Sequence, residues 1–434
     1  MFEISGKTTS AKIFIDDVED GTIQQIYSFL RHPAFTNPIA IMPDTHQGKG
    51  SVIGFTMKLT DKIIPNVIGV DLGCSIQSVN IVDLTLPLPE LDKQIRNNIT
   101  FGSELLNRPH YTERTFPFNE VNVLAKEFHQ HYQSYFNVQV PYVEYSPEWL
   151  KLKFKQIDMD HTRFFHSIGT LGSGNHFIET GNSLPTGFWI TAHTGSRNFG
   201  AKICKYWQYV AKQDFAKNYV EKRQQQIQYI KKTFSNSETD NEIKKLPPLQ
   251  VPEDLVWLEG LNAYYYCVDM FFAQFYANLN RTTILDVIVN KILKTTVKDS
   301  VTSVHNFIDF NDFTVRKGAI RSYKNERMVI PFNMRDGILI CEGKSNAEWN
   351  CSAPHGGGRV LSRSKAKQTL DLDVFKEQMR GIYSTSVNYS TLDEAPDAYK
   401  DSKIIEAAIH DTATILDRIV PIHNMKDSMG FNGD

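Results

Sequence analysis

The sequence predicts a mixed α+β fold, with central β-sheets flanked by helices, and three observations carry that expectation. Short runs of β-branched residues broken by turn residues fill the stretch from Ala11 to Leu86. Apolar residues recur three and four apart through the middle of the chain, and strand-like pieces alternate with helices from Ile320 onward. At 434 residues, 41% hydrophobic and 22% charged, the chain holds ample apolar material for a core, which argues against a disordered protein.

Taken in order, VIGFTMKL (52–59) and VIGVDLGCSIQSVNIV (67–82) read as strands, so the early part is mainly sheet. NEVNVLAKEFHQHYQSYF (119–136) has the spacing of a packing helix. FWITAHTGSRNFG (188–200) is an apolar strand entering a glycine turn, and the long helical stretch 201–234 follows it. The polar, proline-bearing segment at about 233–254 reads as a surface insertion. A helix is expected over Leu255–Leu279, its tyrosines and phenylalanines packing the core, and DVIVNKILKT (286–295) continues the helical character. IRSYKNERMVIPF (320–332) and GILICEG (337–343) read as strands, and two further helices are expected over Ser362–Leu370 and Lys403–Ile419.

A formal net charge of -2 argues against a protein that holds nucleic acid by diffuse positive charge, so any such contact must be local. Five cysteines without CxxC pairing suit a reducing compartment better than a disulfide scaffold. The opening MFEISGKTTSAKIFIDD lacks a long apolar region, and no segment supplies the roughly 18 uninterrupted apolar residues of a membrane span. The expectation is a cytoplasmic protein without a membrane partner.

Five segments combine glycines with ligand-type or nucleophilic side chains: MPDTHQGKG, GVDLGCS, GTLGSGNHFIE, TAHTGSRNFG and SAPHGGGR. SVHNF adds a histidine without the glycines. Glycine lets the backbone turn sharply or approach a ligand, while His, Cys or Asp offers a lone pair. Asp71 and Cys74 form a D-x-x-C pair after an apolar strand, and His176, His193 and His305 each stand at or just after a strand-like run. Singly, each fits a buried structural role as well as a ligand role. Together they form a mixed O, N and S set that suits Mn, Fe, Co or Zn better than Mg or Ca. His355 lies on a glycine loop ahead of the cationic stretch VLSRSKAKQTL, where free backbone N–H groups and a helix dipole attract phosphate.

These segments, with RKGAI, SRSKAK and DEAPDAYKD, occur in an order that resembles the RtcB family of RNA-splicing (tRNA-splicing) ligases from Asp44 to Lys426, nearly the whole chain. The resemblance implies an RtcB-like catalytic domain and a GTP-dependent RNA ligase with two manganese ions. Cys74 would bridge the ions, one also taking His193 and His305, the other Asp71 and His176. His355 matches the histidine that becomes guanylylated, and Asp44 resembles an acidic residue near it. Guanylate contacts would fall on the segment Asn175, His176, Phe177, Ile178 and Glu179, on His305 and Asn306, on Gly356, Gly357 and Gly358, and on Tyr399 and Lys426. Where many members read IPGSMGAKS this chain reads IPFNMRDGI, so Asn333 and Arg335 are expected to replace two small polar contacts. Gly357 stands where alanine is common, and eight residues, Asp427–Asp434, extend past Lys426. The NMRDG and SAPHGGGR versions resemble a divergent bacterial branch, some of whose members repair cleaved ribosomal RNA.

The implied partners are GTP, an archease-like activator, and RNA (tRNA or damaged ribosomal RNA) with 3′-phosphate or 2′,3′-cyclic phosphate and 5′-hydroxyl ends. Two other functions use the same residues: a metal-dependent cyclic phosphodiesterase that does not ligate, and a non-catalytic RNA-binding module. Because the segments that should meet at one site run from residue 44 to residue 426, a single domain over 1–434 is expected. Length alone usually implies more than one.

Overall fold

The computed structural model describes residues 1–246 and 251–428. Its architecture is mixed α+β, built on two larger sheets and a two-stranded ribbon. In the six-stranded sheet the order is Phe2–Ser5, Ser10–Ile13, Ile39–His46, Ile53–Lys58, Thr314–Lys317, Asn306–Asp309. In the seven-stranded sheet it is Arg327–Pro331, Ile338–Gly343, Ala413–Met425, Phe177–Ser183, Gly187–Thr194, Ser75–Ile81, Val297–Val304. The ribbon pairs Ala319–Arg321 with Ser352–Pro354. The edge strand Val297–Val304 of the larger sheet runs through His305 directly into the edge strand Asn306–Asp309 of the smaller one. That single residue therefore marks the junction of the sheets.

The aromatic stripe expected to pack the core does so. It lies on the helix Gly260–Asp286, where Tyr264, Tyr266, Phe272 and Tyr276 are fully buried. Phe272 meets the rings of Phe116, Phe164 and Phe199, and burying one such side chain contributes roughly 1.5–3 kcal/mol. The long stretch after residue 200 is helical as expected, Arg197–Phe215 and Glu221–Thr233 joined by a π-helical turn at Ala216–Val220. Within the polar excursion the exposed helix Asn236–Lys245 starts at a capping box between Ser235 and Glu238, which satisfies donors at its N-terminus. Residues 247–250 of that excursion and 429–434 of the C-terminal extension lie outside the described residues.

The structure overturns the helix expected over Lys403–Ile419. A helix covers only Ser402–Ala408, and Ala413–Met425 is a 13-residue strand. The apolar spacing at Ile404, Ile405 and Ala408 belongs to the short helix; beyond it, Thr414, Ile415, Ile419 and Val420 are β-branched, and Pro421 cannot sit in a helix interior. Pairing on both sides, to Ile338–Gly343 and Phe177–Ser183, decides the outcome. The register sets Asn424 opposite Glu179 and Met425 opposite Ile178, so the end of this strand is delivered beside the segment Asn175–Glu179.

Candidate functional site

Strand ends and the turns between them bring the ligand-type side chains together. Asp71 and Cys74 occupy the turn before the strand Ser75–Ile81, with the Cys74 N–H donating to the Asp71 carbonyl at 3.2 Å. His193, on the adjacent strand, pairs in register with Ile76 on one side and Phe177 on the other. His176 immediately precedes Phe177, and the His305 N–H donates to the Cys74 carbonyl at 3.0 Å. Glycine at 195 is required for this approach, because a Cβ there would lie 2.0 Å from Asp71 Oδ1.

The donors converge. Cys74 Sγ lies 3.5 Å from His176 Nε2 and 3.3 Å from His193 Nε2; His193 Nε2 is 3.2 Å from His305 Nε2, and His176 Nε2 is 2.9 Å from Asp71 Oδ2. The outer ring nitrogens fix two tautomers, since His176 Nδ1 donates to the Leu171 carbonyl at 3.0 Å and His193 Nδ1 to the Asn175 carbonyl at 3.1 Å. In the neutral His193 ring the Nε2 lone pair then faces His305 and the Cys74 sulfur, while His176 Nε2 faces a carboxylate oxygen and the same sulfur. A cation that takes the place of the protons shared among these atoms would meet nitrogen, sulfur and oxygen donors at once, so the residues fit a metal. Cys74, His176 and His193 can together hold one.

The electrostatics agree. Burial, followed by the Asp71 charge, raises the Cys74 thiol well above its usual value, with the buried Arg281 guanidinium acting the other way. Burial, then the neighbouring histidines, pushes His193 and His305 well below the ordinary imidazole range, leaving them neutral. For Asp71 burial acts upward, but the His176 hydrogen bond and charge, the Cys74 hydrogen bond and the Arg197 charge together bring the carboxyl down. Neutral imidazoles and a carboxylate are the protonation states a metal takes up, and the thiol must release its proton to join them.

His355 stands one imidazole further on, its ring centroid 5.0 Å from that of His305. Its Nδ1–H donates to Asp44 Oδ2 at 2.6 Å, and the same oxygen accepts the backbone N–H of His355 at 3.1 Å and of Gly356 at 3.3 Å. Asp44 is completely buried. The ring is thereby held with Nδ1 protonated and Nε2 carrying the free lone pair. Gly358, at φ +70°, allows this loop to close on the strand Ile39–His46: a Cβ there would lie 2.4 Å from the Asp44 carbonyl oxygen.

A cavity of about 590 Å³ opens over His193, His305 and His355. Asn175, Phe177, Glu179, Asn306, Asn333, the loop Gly356–Gly358, Tyr399 and Lys426 also reach its wall. Glu179 Oε2 accepts from Asn424 at 2.8 Å while its buried Oε1 has no partner, and burial lifts its carboxyl to about 8. A second cavity, of about 910 Å³, reaches Asp71 and His176 and carries Arg96, Arg163, Arg197 and Lys205 on its wall. The donor set thus lies between two cavities. Ile178 is buried in the core behind the first. Arg335 is partly exposed, pairs with Asp336 at 2.7 Å and stands off the first wall, while the Asn333 amide donates to Asp336 at 2.8 Å.

Among the cavity residues that sequence reasoning missed are Arg359, Arg363, Glu394 and Asn424. The first three sit inside or beside the quoted segments SAPHGGGR, SRSKAK and DEAPDAYKD, and Asn424 is two residues before Lys426. Glu394 accepts from Lys426 Nζ and Tyr399 OH at 2.8 Å each, from Arg363 at 2.7 Å and from Arg359 at 3.2 Å. Burial acts against its charge, but Lys426, Arg363 and Arg359 hold the carboxyl down at about 2.

A buried Cys/His/His donor group on an α+β scaffold, flanked by a loop histidine and two cavities, defines a candidate metal protein. The chain belongs to the RtcB family: the family model described as tRNA-splicing ligase RtcB matches residues 25–427. It is 28% identical over 425 residues to the RNA-splicing ligase RtcB of Escherichia coli K12, covering 92% of each chain. It is 23% identical over 480 residues to the tRNA-splicing ligase RtcB of Methanococcus maripaludis, covering 95% of this chain and 92% of the relative. To that of Pyrobaculum aerophilum it is 25% identical over 467 residues, covering 92% and 90%.

Proposed function

We propose that this protein is a GTP- and manganese-dependent RNA ligase that joins a 3′-phosphate or 2′,3′-cyclic phosphate end to a 5′-hydroxyl end through a covalent His355–GMP intermediate. The observation that carries the reading is the His355–Asp44 pair at 2.6 Å, which leaves Nε2 free on a cavity wall one ring away from the metal donors. The names of the relatives, RNA-splicing and tRNA-splicing ligases, support RNA as the substrate. So do the four cations of the second cavity, which suit a phosphate backbone.

In the first step Nε2 attacks the α-phosphorus of GTP, a P–N bond forms, and the P–O bond to pyrophosphate breaks. The positive charge that develops on the ring is offset through Nδ1–H by the Asp44 carboxylate. A 2′,3′-cyclic phosphate end is first hydrolysed, water adding to phosphorus as the P–O2′ bond breaks. An oxygen of the RNA 3′-phosphate then displaces His355 from phosphorus, restoring the neutral imidazole and leaving the RNA end capped with GMP. The 5′-hydroxyl attacks the RNA phosphate, loses its proton and expels GMP. Asp71, Cys74, His176, His193 and His305 would hold manganese, which supplies positive charge to phosphate oxygens and acidifies a hydroxyl when bound. Phe177, Tyr399 and the unpartnered Oε1 of Glu179 offer ring faces and an acceptor to a guanine base. The whole chain acts as one catalytic domain, in the cytoplasm.

Incubation with GTP labelled at the α-phosphate tests the reading. Label should transfer to the native protein only with manganese and chase into RNA bearing a 3′-phosphate. His355→Ala should abolish the transfer with metal content unchanged; a labelled His355→Ala protein refutes the assignment.

A further inference from the structure

The cation-rich side of the first cavity is assembled on one buried acid. Glu394 lies at the end of the 3-10 turn Tyr389–Glu394 and is 3% exposed. Its four donors come from separate segments: Arg359 from the loop after His355, Arg363 from the start of the helix Arg363–Thr369, Tyr399 from the turn after Pro396–Ala398, and Lys426 from the end of the last strand. Neighbouring Asp393 reinforces the arrangement, its side chain pairing with Arg363 at 2.7 Å and its carbonyl accepting from Arg359 at 2.6 Å. The Lys426 ammonium is 4% exposed and stands 5.5 Å from the centre of the Phe177 ring, so in that apolar setting it depends on an anionic partner.

A carboxylate has about four lone-pair sites. In Glu394 all are taken, Oε1 by Arg359 and Arg363 and Oε2 by Tyr399 and Lys426. It has no acceptor left for a ligand. Glu179, across the same cavity, is the opposite case, with a buried Oε1 that bonds to nothing. The two acids therefore have different work: one is free to meet a ligand, the other is saturated by the groups around it.

We propose that Glu394 is a positioning residue for the nucleotide: it fixes Arg359, Arg363, Tyr399 and Lys426 on the cavity wall and thereby sets the affinity for GTP without touching it. The inference rests on the ligase reading above. It makes a prediction of sign. Removing one negative charge from a wall carrying three cations would, by charge alone, tighten the binding of an anionic nucleotide. If the carboxylate acts by holding those groups in place, its removal loosens binding instead.

The test is Glu394→Gln, which keeps the shape but replaces one acceptor by a donor facing cations. GTP dissociation constants would be measured at equilibrium, alongside the rate of label transfer at saturating GTP, manganese content and circular dichroism. The expected result is binding weakened by about tenfold or more, a saturated rate within about threefold of native, and unchanged metal content. Unchanged or tighter GTP binding by the folded variant overturns the proposal, as does a lost saturated rate with affinity intact. Should Glu394→Gln fail to fold, Tyr399→Phe, which removes the hydroxyl that donates to Glu394 and accepts from Arg359, decides: about threefold weaker binding supports the proposal and unchanged affinity overturns it. A native protein that binds GTP without taking label sinks the ligase reading, while the affinity comparison still judges Glu394. A native protein that does not bind GTP overturns both.

Discussion

Replacing Asp44 by Asn should slow transfer of GMP to the protein by roughly 10- to 150-fold. The carboxylate is fully buried, and a single oxygen, Oδ2, receives three N–H groups, from the His355 ring at 2.6 Å and from the backbone of His355 and Gly356 at 3.1 and 3.3 Å. The amide retains the shape but not the charge that faces the ring as it becomes cationic. A hydrogen bond to a charged group is worth about 1.5–3 kcal/mol, and each 1.36 kcal/mol carried into a barrier is tenfold in rate, which gives the range. The backbone contacts survive in the ground state, so GTP affinity should change less than rate. The assay is single-turnover transfer of label from α-phosphate-labelled GTP at saturating nucleotide, with manganese content measured on the same sample. Native transfer rates in a folded, metal-loaded Asp44→Asn protein would show that the carboxylate charge does not stabilise the ring in the reaction.

Metal binding should release a proton, because the Cys74 thiol is raised by burial while His193 and His305 are already neutral. Manganese affinity should therefore rise by about tenfold per pH unit from pH 6 to 8, and Cys74→Ala should both lower the affinity and flatten that slope; titration with a competing chelator measures it. Burial raises the Glu179 carboxyl to about 8, above its unfolded value near 4.5. Its contribution to stability is accordingly complete below pH 4.5 and is lost as pH climbs to 8. Glu179→Gln should remove that loss, so the melting temperature of the variant rises relative to native between pH 5 and pH 8.5; parallel curves for the two proteins would contradict the assignment.

The site was legible where chemistry and backbone geometry coincide in one short segment. Asp71, Cys74, His176 and His193 each lie within two residues of a glycine, and at Gly195 the reason is visible, since a Cβ there would meet the Asp71 carboxylate. His305 has no glycine so near and was legible from its place after a strand. What remained hidden depends on partners far away in the chain. Glu394 meets Lys426 across 32 residues and Arg359 across 35, and no local pattern announces such a meeting. The strand Ala413–Met425 was hidden for a related reason: its state is set by two neighbouring strands, one of them beginning at Phe177. The short helix before it supplied the spacing that suggests a continued helix. Arg335 shows the limit of reading a loop by substitution, for its guanidinium turns to the adjacent Asp336 and not to the cavity.

Mass-spectrometric mapping of the protein after incubation with GTP and manganese locates the bound nucleotide. One GMP is expected on the peptide containing His355, attached through nitrogen, absent without the metal and removed by RNA carrying a 3′-phosphate. GMP on another side chain, such as Lys400 or Lys426, or ligation proceeding with no protein-bound nucleotide at any stage, would contradict the His355–GMP intermediate.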